Sequence, residues 1–362
     1  MAVPLFDPST PLAPLRRRLQ EAIEDVLERG QFILGPEVAA FEQEFAAYLG
    51  AEHVIGVANG TEALTIALRA LDVGPGDEVV VPSFTFYASA EAIPATGARP
   101  VFCDVDPETF CVTPETVKAA LTPRTKAVIA VHLFGNVAPI AEIEALGVPV
   151  VEDSAQAAGS TSPAGRPGAL GTIATFSFYP SKNLGAFGDG GAIATGDAAL
   201  ADAVRTLRFH GSRDKVTYER VGYNSRLDEL QAAVLRVQLP ELDRWGAHRR
   251  DVGEWYAQSG LGELATLPQA TDGARPAWHL YVIRHERPDD LESALAAADV
   301  GASGYYRTPI HRQPAMAEWG AGVELPFTEE LARTHLALPI SAALTRDQVD
   351  EVVAAVRDAN LG

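Results

Sequence analysis

The sequence predicts an α/β protein with a mostly parallel sheet that is covered by helices on both faces. Short apolar segments alternate with segments of helical periodicity from Val54 to Leu207. Strands that alternate with helices form parallel sheets, because each crossover helix packs back onto a face. A second, shorter alternation follows Glu241 and predicts a smaller C-terminal α/β domain. We therefore expect a large domain over residues 1–240 and a small domain over residues 241–362.

The elements of the large domain follow from the hydrophobic pattern. A helical lead is expected over residues 1–50, with helices at 15–29 and 37–49. The apolar segments that read as strands are 54–57, 78–81, 101–105, 127–132, 148–152, 173–177 and 192–195. The helical segments are 63–71, 88–94, 114–121, 138–145, 198–207 and a helix from Asp228. In the small domain we expect a helix over 241–256, a strand over 280–284, a helix over 288–298 and a last helix from Arg346.

The composition excludes several classes of function. The chain of 362 residues is 47% hydrophobic and 21% charged, which is typical of a globular protein with a sizeable core. Its net charge of −19 argues against nonspecific nucleic-acid binding, and no apolar run reaches the length of a membrane span. The first residues lack the apolar centre of a signal peptide, and Cys103 and Cys111 form neither a zinc pattern nor a redox pair. We expect a cytoplasmic protein that binds no nucleic acid, membrane or metal.

The chemistry of such a sheet is expected at the carboxyl ends of its strands. The residues that follow predicted strands are Gly60, Phe86, His132 and Asp153, so we expect them along one edge. No dinucleotide fingerprint and no Walker loop occurs in the sequence. The motifs therefore do not predict a nicotinamide or ATP domain.

The most informative stretch is TIATFSFYPSKNLGAFGDGGAIATGD, residues 172–197. Two apolar strands flank a glycine-rich turn that presents Lys182, one of only four lysines in the chain. Partial burial between apolar strands lowers the pKa of an amine and makes it a usable nucleophile. Taken alone, the pattern also fits an ordinary loop charge.

A carboxylate and a phosphate-type turn accompany this lysine. Asp153 ends an apolar strand in VVEDSAQAAGS, where a carboxylate is costly without a cationic partner, and Gln156 follows on the same turn. The turn at residues 59–61 leads from a strand into a helix and points free amides beyond the strand end, as in phosphate sites. The alternative interpretations are simple helix caps, at Asp153 or Ser154 in the first case and at Thr61 in the second.

Together these parts are the ones that pyridoxal phosphate chemistry requires. A lysine holds the cofactor as an imine and moves protons, and a carboxylate keeps the pyridine nitrogen protonated so that the ring accepts electrons. Backbone amides and hydroxyls hold the phosphate, and Phe86 adds an aromatic ring. The order of Phe86, Asp153 and Lys182 along the chain predicts a pyridoxal phosphate enzyme.

Five motifs carry a resemblance to a known family. They are NGTEAL, PSFTFYA, EDSAQAAGS, FSFYPSKNLGAFGDGGAI and GYNSRLDELQAA. The sequence resembles the DegT/DnrJ/EryC1/StrS family of pyridoxal-phosphate-dependent sugar aminotransferases over nearly its whole length, from ILGPE to the C-terminal LPI. This resemblance implies the aspartate-aminotransferase fold (fold type I), with a three-layer α/β/α large domain, and a homodimer with shared active sites.

The resemblance also implies a set of cofactor-binding residues, which comprises Gly60, Thr61, Phe86, Asp153, Gln156, Ser177, Lys182 and Asn224. Lys182 and Asp153 are the implied catalytic residues: the amine carries the imine and shuttles a proton, and the carboxylate pairs with the pyridine nitrogen. Gln156 pairs with the ring hydroxyl and Phe86 stacks on the ring.

The phosphate is implied to lie against Gly60, Thr61 and Ser177, with Asn224 reaching it from the partner subunit. Ser177 as a plain strand serine, Phe86 as a core aromatic and Asn224 as a turn residue are the alternatives.

The implied reaction moves an amino group from L-glutamate to a keto sugar linked to dTDP or UDP, with pyridoxamine phosphate as the intermediate. The lysine motif, with Tyr179 before the proline and GDGG after the lysine, is more similar to members that aminate 3-keto sugars than to those that aminate the 4-position. A 4-keto sugar and a UDP-3-keto-hexuronate remain alternative acceptors.

Several residues are candidates for substrate contact. Tyr179 and His311 are candidates for a sugar hydroxyl, and Arg213, Lys215 and Arg226 for a diphosphate or a carboxylate. Each of them also fits an ordinary loop or surface residue.

Three other functions are compatible with the same fold. Relatives that dehydrate sugars have histidine in place of the lysine, so Lys182 argues against that activity. A noncatalytic regulator of the same fold predicts an eroded cofactor site, whereas every expected position is filled. A decarboxylase or a small-amino-acid transaminase is the third; the latter needs an arginine for the substrate carboxylate, for which Arg307 and Arg312 are the candidates.

Overall fold

The computed structural model describes residues 3–359 and confirms the α/β prediction. Seven strands form one sheet in the order β1-β7-β6-β5-β4-β2-β3. They are β1 (His53–Val57), β2 (Glu78–Pro82), β3 (Arg99–Cys103), β4 (Thr125–Val131), β5 (Val150–Asp153), β6 (Ile173–Ser177) and β7 (Gly191–Thr195). Only β7 runs against the others, and it pairs antiparallel with both β1 and β6. The connection from β6 to β7 is therefore a loop rather than a crossover helix, and Lys182 lies in it.

The helices include all those predicted and two more. They are α1 (Arg16–Arg29), α2 (Pro36–Leu49), α3 (Gly60–Ala70), α4 (Ala88–Glu91), α5 (Pro114–Ala120), α6 (Ile140–Glu144), α7 (Ala198–Arg208), α8 (Glu229–Gln238), α9 (Leu242–Gln258), α10 (Pro288–Ala297), α11 (Ala317–Gly320), α12 (Pro326–Thr334) and α13 (Arg346–Asp358). The sequence analysis missed α11 and α12. None of the helices described is long and apolar enough to cross a membrane.

Successive residues along the strands pack into two separate hydrophobic cores. Val54 packs into one core with α2 and α8, whereas its neighbour Ile55 packs into the other with α3. Ala174 and Ile173 of β6 divide in the same way. Because side chains alternate across a strand, this division shows that helices cover both faces of the sheet. The three-layer arrangement leaves the strand ends as the accessible edge.

A second sheet of two antiparallel strands follows the large sheet in the chain. It comprises β8 (Tyr281–Arg284) and β9 (His335–Leu338), of which the sequence analysis predicted only the first. Its Tyr281 and Ile283 pack with α9 and α13, while Val282 joins the main core. The small sheet thus packs against the core of the large sheet through the face that carries Val282.

Candidate functional site

A cavity of about 940 Å³ lies where the carboxyl ends of β5 and β6 meet the small sheet. Most of the site residues predicted from the sequence line it, namely Gly60, Thr61, Phe86, Asp153, Gln156, Ser177, Tyr179 and Lys182. Residues that the sequence analysis did not single out also line it, including Phe6, His279, Tyr305 and Tyr306. The topology thus brings together residues that are more than a hundred positions apart in the chain.

Lys182 lies in a tight turn at the end of β6. Its amide donates a hydrogen bond to the carbonyl of Tyr179 at 2.8 Å. Gly185 lets the loop pass close by, since a Cβ atom there would lie 2.7 Å from the Pro180 carbonyl oxygen. Burial lowers the pKa of the Lys182 amine to about 8, and the charge of Asp153 opposes that shift only in part. A substantial neutral fraction at physiological pH makes this amine a nucleophile.

Asp153 ends β5 and is 5% exposed. Its Oδ2 accepts a hydrogen bond from the Ser89 hydroxyl at 2.7 Å, and its Oδ1 accepts one from the Ala155 amide at 3.2 Å. Lys182 is the cation that faces it. Ser89 was missed because nothing in the sequence marks a helical serine as the partner of a carboxylate 64 positions away.

Gln156 is held in place from both ends of its amide. Its Oε1 accepts a hydrogen bond from the Phe134 amide at 2.6 Å, and its Nε2 donates to the Tyr306 hydroxyl at 3.2 Å. Burial raises the pKa of Tyr306 well above its usual value, so this phenol is a neutral group in the cavity wall. Tyr306 precedes Arg307, His311 and Arg312, which the sequence analysis named, but was not itself singled out.

The turn before α3 forms a close-fitting cradle. Asn59, rather than Thr61, caps the helix, because its side chain accepts a hydrogen bond from the Glu62 amide at 2.8 Å. The Gly60 and Thr61 amides lie in the first turn, where no intrahelical acceptor exists for them. A Cβ atom on Gly60 would lie 2.6 Å from the Cβ of Ser177, so only glycine allows this approach. Amides, a hydroxyl and a helix start together suit a phosphate group.

Phe86 presents its ring to the cavity instead of to the core. Its side chain is 54% exposed, and its ring centroid lies 6.0 Å from that of Tyr306. An exposed aromatic ring in a cavity wall is available for stacking on a planar ligand. This placement argues against the alternative that Phe86 is a core aromatic.

The remaining predicted residues do not line this cavity. Arg213 is paired with Asp202 and Glu219 on the surface, and the Lys215 ammonium lies 4.8 Å from the centroid of the Phe209 ring. Neither Arg226 nor the exposed Asn224 lies in the cavity wall.

Two predicted histidines are also buried away from the cavity. His311 is 2% exposed, and its Nδ1 and Nε2 contact the Ser83 hydroxyl at 2.6 Å and Glu329 at 3.3 Å. His132 does follow β4 at the carboxyl edge, as expected, and its amide donates to the Asp153 carbonyl at 3.1 Å. Its side chain is fully buried with Nε2 2.9 Å from Oε2 of Glu152, and it does not line the cavity. From the sequence alone, a histidine at the end of an apolar strand does not show whether it will be buried or which carboxylate it will contact.

The cavity fits pyridoxal phosphate. Lys182 offers a nucleophilic amine, Asp153 a buried carboxylate, and Gly60, Thr61 and Ser177 a cradle that a Cβ atom would fill. Phe86 offers an exposed ring. These groups correspond to the aldehyde, the ring nitrogen, the phosphate and the ring face of the cofactor.

Comparison with known proteins gives a consistent result. The sequence model of the DegT/DnrJ/EryC1/StrS aminotransferase family matches residues 14–357. The dTDP-3-amino-3,4,6-trideoxy-alpha-D-glucose transaminase of Streptomyces venezuelae is 45% identical over 98% of this chain and 96% of its own. A protein named pleiotropic regulatory protein, from Geobacillus stearothermophilus, is 43% identical over 98% of this chain and 97% of its own.

A solved structure agrees with this match. The crystal structure of S. venezuelae DesV in complex with ketimine intermediate superposes with a TM-score of 0.96 at 44% identity, over 99% of this chain and 98% of that one. At this similarity the fold and the family are shared along the whole described chain.

Proposed function

The chain belongs to the DegT/DnrJ/EryC1/StrS aminotransferase family, and on that basis we propose that it transfers an amino group from L-glutamate to the 3-keto group of a dTDP- or UDP-linked hexose. The observation that carries the proposal is the convergence of Lys182, Asp153 and the Gly60–Ser177 cradle on one cavity. The transaminase of S. venezuelae, named for a 3-amino sugar, supports the 3-position. The Tyr179 and GDGG features of the lysine motif support it independently.

Pyridoxal phosphate is the cofactor of this family, and when bound it supplies an electron sink for proton removal next to nitrogen. We assign its aldehyde to Lys182, its pyridine nitrogen to Asp153, its ring hydroxyl to Gln156 and its phosphate to the cradle at Gly60. Phe86 covers the ring.

The residues of this chain then have separate tasks. The Nζ atom of Lys182 carries a proton between the carbon atoms that exchange it, because a pKa of about 8 allows it to accept and release a proton at neutral pH. The Ser89 hydroxyl and the Ala155 amide hold Asp153 in one orientation. Tyr306 accepts a hydrogen bond from the Gln156 amide and so fixes its orientation.

We also propose a homodimer in which two chains complete each site. Phe86 and Tyr179, at the cavity, and Phe187, near it, have side chains that are 50% to 56% exposed in the single chain. Apolar surface of this kind beside an opening is typical of an interface. Asn224 is exposed and lies outside the cavity of its own chain, which is consistent with a contact to the partner's phosphate.

A regulatory function is the second candidate, because of the relative named pleiotropic regulatory protein. A regulator has no need of a nucleophilic lysine, a buried carboxylate and a phosphate cradle in one cavity. The intact site therefore favours catalysis.

A spectral titration tests the proposal. The purified protein is expected to show a visible absorption band that L-glutamate bleaches and that a dTDP- or UDP-3-keto-hexose restores. Parallel additions of a dTDP-4-keto-hexose and a UDP-3-keto-hexuronate distinguish the alternative acceptors. A protein without the band, or one whose band glutamate leaves unchanged, would exclude this aminotransferase function.

A further inference from the structure

A second cavity adjoins the first at Lys182. It has a volume of about 440 Å³, and Phe6, Ser181 and Lys182 line both cavities. Its remaining wall includes residues of the N-terminal segment, the turn after Lys182 and Arg249 of α9. Both volumes lie in the range of small-molecule sites, roughly 300–1,000 Å³. Lys182 is thus reached from two cavities, and the proposed reaction brings two different substrates, an amino acid and a sugar, to the atoms between which it moves a proton.

Of the three guanidinium nitrogens of Arg249, only Nη1 is hydrogen-bonded to the described residues. Its Nη1 donates hydrogen bonds to the carbonyls of Trp278 at 3.0 Å and Ile340 at 3.4 Å. Among residues 3–359, no side chain or carbonyl accepts from its Nε or Nη2, and no carboxylate lies within ion-pair distance. The edge formed by Nε and Nη2 is the one that binds a carboxylate through two parallel hydrogen bonds.

The unpaired charge of Arg249 stands out in a chain of net charge −19. Burial lowers its pKa to about 10, so the guanidinium remains charged at neutral pH. The acid in the same cavity wall, Asp7, accepts hydrogen bonds from the Ser9 and Thr10 amides, both in its own turn. A partly buried cation without a carboxylate is costly unless a ligand supplies the anion.

His279 lies close to both Lys182 and Arg249 and adds no negative charge. His279 is 4% exposed, its Nδ1 is buried without a hydrogen-bond partner among the described residues, and it lines the larger cavity. Burial, together with the charges of Lys182 and Arg249, holds its pKa well below the usual value. Among the described residues, Asp7 is the one acid in the wall of the smaller cavity that holds Arg249, whereas Glu62, Asp153 and Asp189 line the larger cavity.

We propose that Arg249 binds a carboxylate of the amino-acid donor in the smaller cavity, with Lys182 at the reacting end. The inference rests on the proposed function. A single guanidinium matches one carboxylate better than a diphosphate, which calls for more than one cation. The cofactor phosphate is assigned to the cradle at Gly60, on the other cavity, and the larger volume there suits the nucleotide sugar.

Measuring the two half-reactions of the transamination separately distinguishes carboxylate binding by Arg249 from a purely structural role. Arg249→Gln and Arg249→Lys are compared with Arg250→Gln, a change one position along α9 at a residue that lines a different cavity. The donor half-reaction is followed by the bleaching of the visible band at increasing L-glutamate. The sugar half-reaction is followed in reverse with the aminated nucleotide sugar.

Arg249→Gln is expected to raise the glutamate concentration for half-saturation by about 10- to 100-fold, the range for loss of a charge-assisted pair. Arg249→Lys keeps the positive charge but cannot make two parallel hydrogen bonds. Its half-saturating glutamate concentration should therefore lie between those of Arg249→Gln and the wild type. The sugar half-reaction should stay near the wild-type value, as should both half-reactions of Arg250→Gln. The melting temperature of Arg249→Gln should fall, because the Trp278 and Ile340 carbonyls lose their donor. Unchanged glutamate saturation in Arg249→Gln would overturn the proposal, and so would an equal loss in both half-reactions.

A binding measurement gives a readout that is independent of turnover. Calorimetry with glutarate, an unreactive dicarboxylate, should show binding to the wild type and a matching loss in Arg249→Gln, with butyrate reporting whether one carboxylate suffices. If glutamate fails to react with the wild type while glutarate binds through Arg249, the donor assigned above is wrong and the carboxylate site stands. If glutamate reacts and glutarate binds both proteins equally, the Arg249 proposal fails alone.

Discussion

At the scale of single residues, the account depends on how the fold changes the chemistry of ordinary side chains. Lys182 is one of four lysines, and burial in the turn after β6 gives its amine a pKa of about 8 instead of 10.5. The sequence predicted this residue because apolar strands and glycines surround it. It did not predict Ser89 or Tyr306, because their roles depend on contacts across the sheet.

Capture of the cofactor should report this pKa directly. Only the neutral amine attacks an aldehyde, so the rate at which cofactor-free protein binds pyridoxal phosphate should rise with pH and level off above a midpoint near 8. Stopped-flow absorbance at a series of pH values measures this rate. Lys182→Ala, the control, should show no covalent capture and no turnover with glutamate. A midpoint near 10.5 would mean that burial does not lower the pKa.

A second buried carboxylate, Glu152, precedes Asp153 and holds a loop instead of a ligand. It is fully buried and accepts hydrogen bonds from the amides of Gly168, Leu170 and Gly171 at 2.7–2.9 Å. The Nδ1 atom of His132 accepts from the Ala138 amide, so its Nε2 carries the proton and donates to Glu152.

Glu152→Gln is expected to lower the free energy of unfolding by about 2–4 kcal/mol, because an NH₂ group would then face backbone or imidazole donors. Urea denaturation measures the change. Glu144→Gln is the matched control, since Glu144 is half-buried and accepts one hydrogen bond, from Thr172. A similar loss in both variants would show that the buried contacts of Glu152 have no special weight.

At the scale of elements, a single side chain sets the start of α2. Both carboxylate oxygens of Glu229, at the start of α8, accept hydrogen bonds from the amides of Gly35, Glu37 and Val38 at 2.8–2.9 Å. The Glu229 carboxylate thus accepts hydrogen bonds from the free amides of the first turn, as an N-cap side chain usually does, although it lies 194 positions away in the sequence. The sequence predicted both helices from their periodicity, but no local pattern shows that one caps the other.

Glu229→Ala should therefore destabilise the protein by about 2–3 kcal/mol, since three amides at a helix start lose their acceptor and two of them, Gly35 and Val38, are buried. Thermal or urea unfolding measures this loss. Glu44→Ala is a suitable control, because Glu44 lies on α2 in a surface ion pair with Arg236. Equal effects of the two substitutions would contradict the capping role.

The limits of sequence-based prediction have identifiable causes at this scale. Long, periodic helices and fully buried strands were predicted within a few residues, because their patterns depend on burial alone. The strand β9 (His335–Leu338) was missed because it directly follows α12 (Pro326–Thr334), with no turn residue to separate the two patterns. The alternative interpretation of the turn before α3 named Thr61 as the cap, whereas Asn59 provides it, because both residue types cap helices and only the backbone conformation decides between them.

At the scale of the whole molecule, the single chain exposes groups that a second chain would cover. The apolar side chains of Phe86, Tyr179 and Phe187 are half-exposed in or near the two cavities, and Asn224 is exposed outside them. The resemblance predicted an Asn224 contact across subunits. We keep both this contact and the domain boundary near residue 240 as proposals.

Asn224→Ala should weaken retention of pyridoxal phosphate while leaving the dimer intact. Loss of one hydrogen bond to a charged phosphate corresponds to about a 10-fold weaker affinity. Fluorescence titration of the cofactor-free protein measures affinity, and analytical ultracentrifugation measures assembly. Unchanged affinity in a dimeric variant would refute the contact, and a monomeric wild type would refute the shared site.

The most direct test of the central claim is to locate the cofactor on the chain. Borohydride reduction of the purified protein fixes an imine, and mass spectrometry of its peptides then finds the modified residue. We predict one modified residue, Lys182, within the peptide that contains YPSKNLG, and loss of the label after incubation with L-glutamate. A label on Lys118, Lys126 or Lys215, or no label at all, would contradict the assignment of this turn as the catalytic centre.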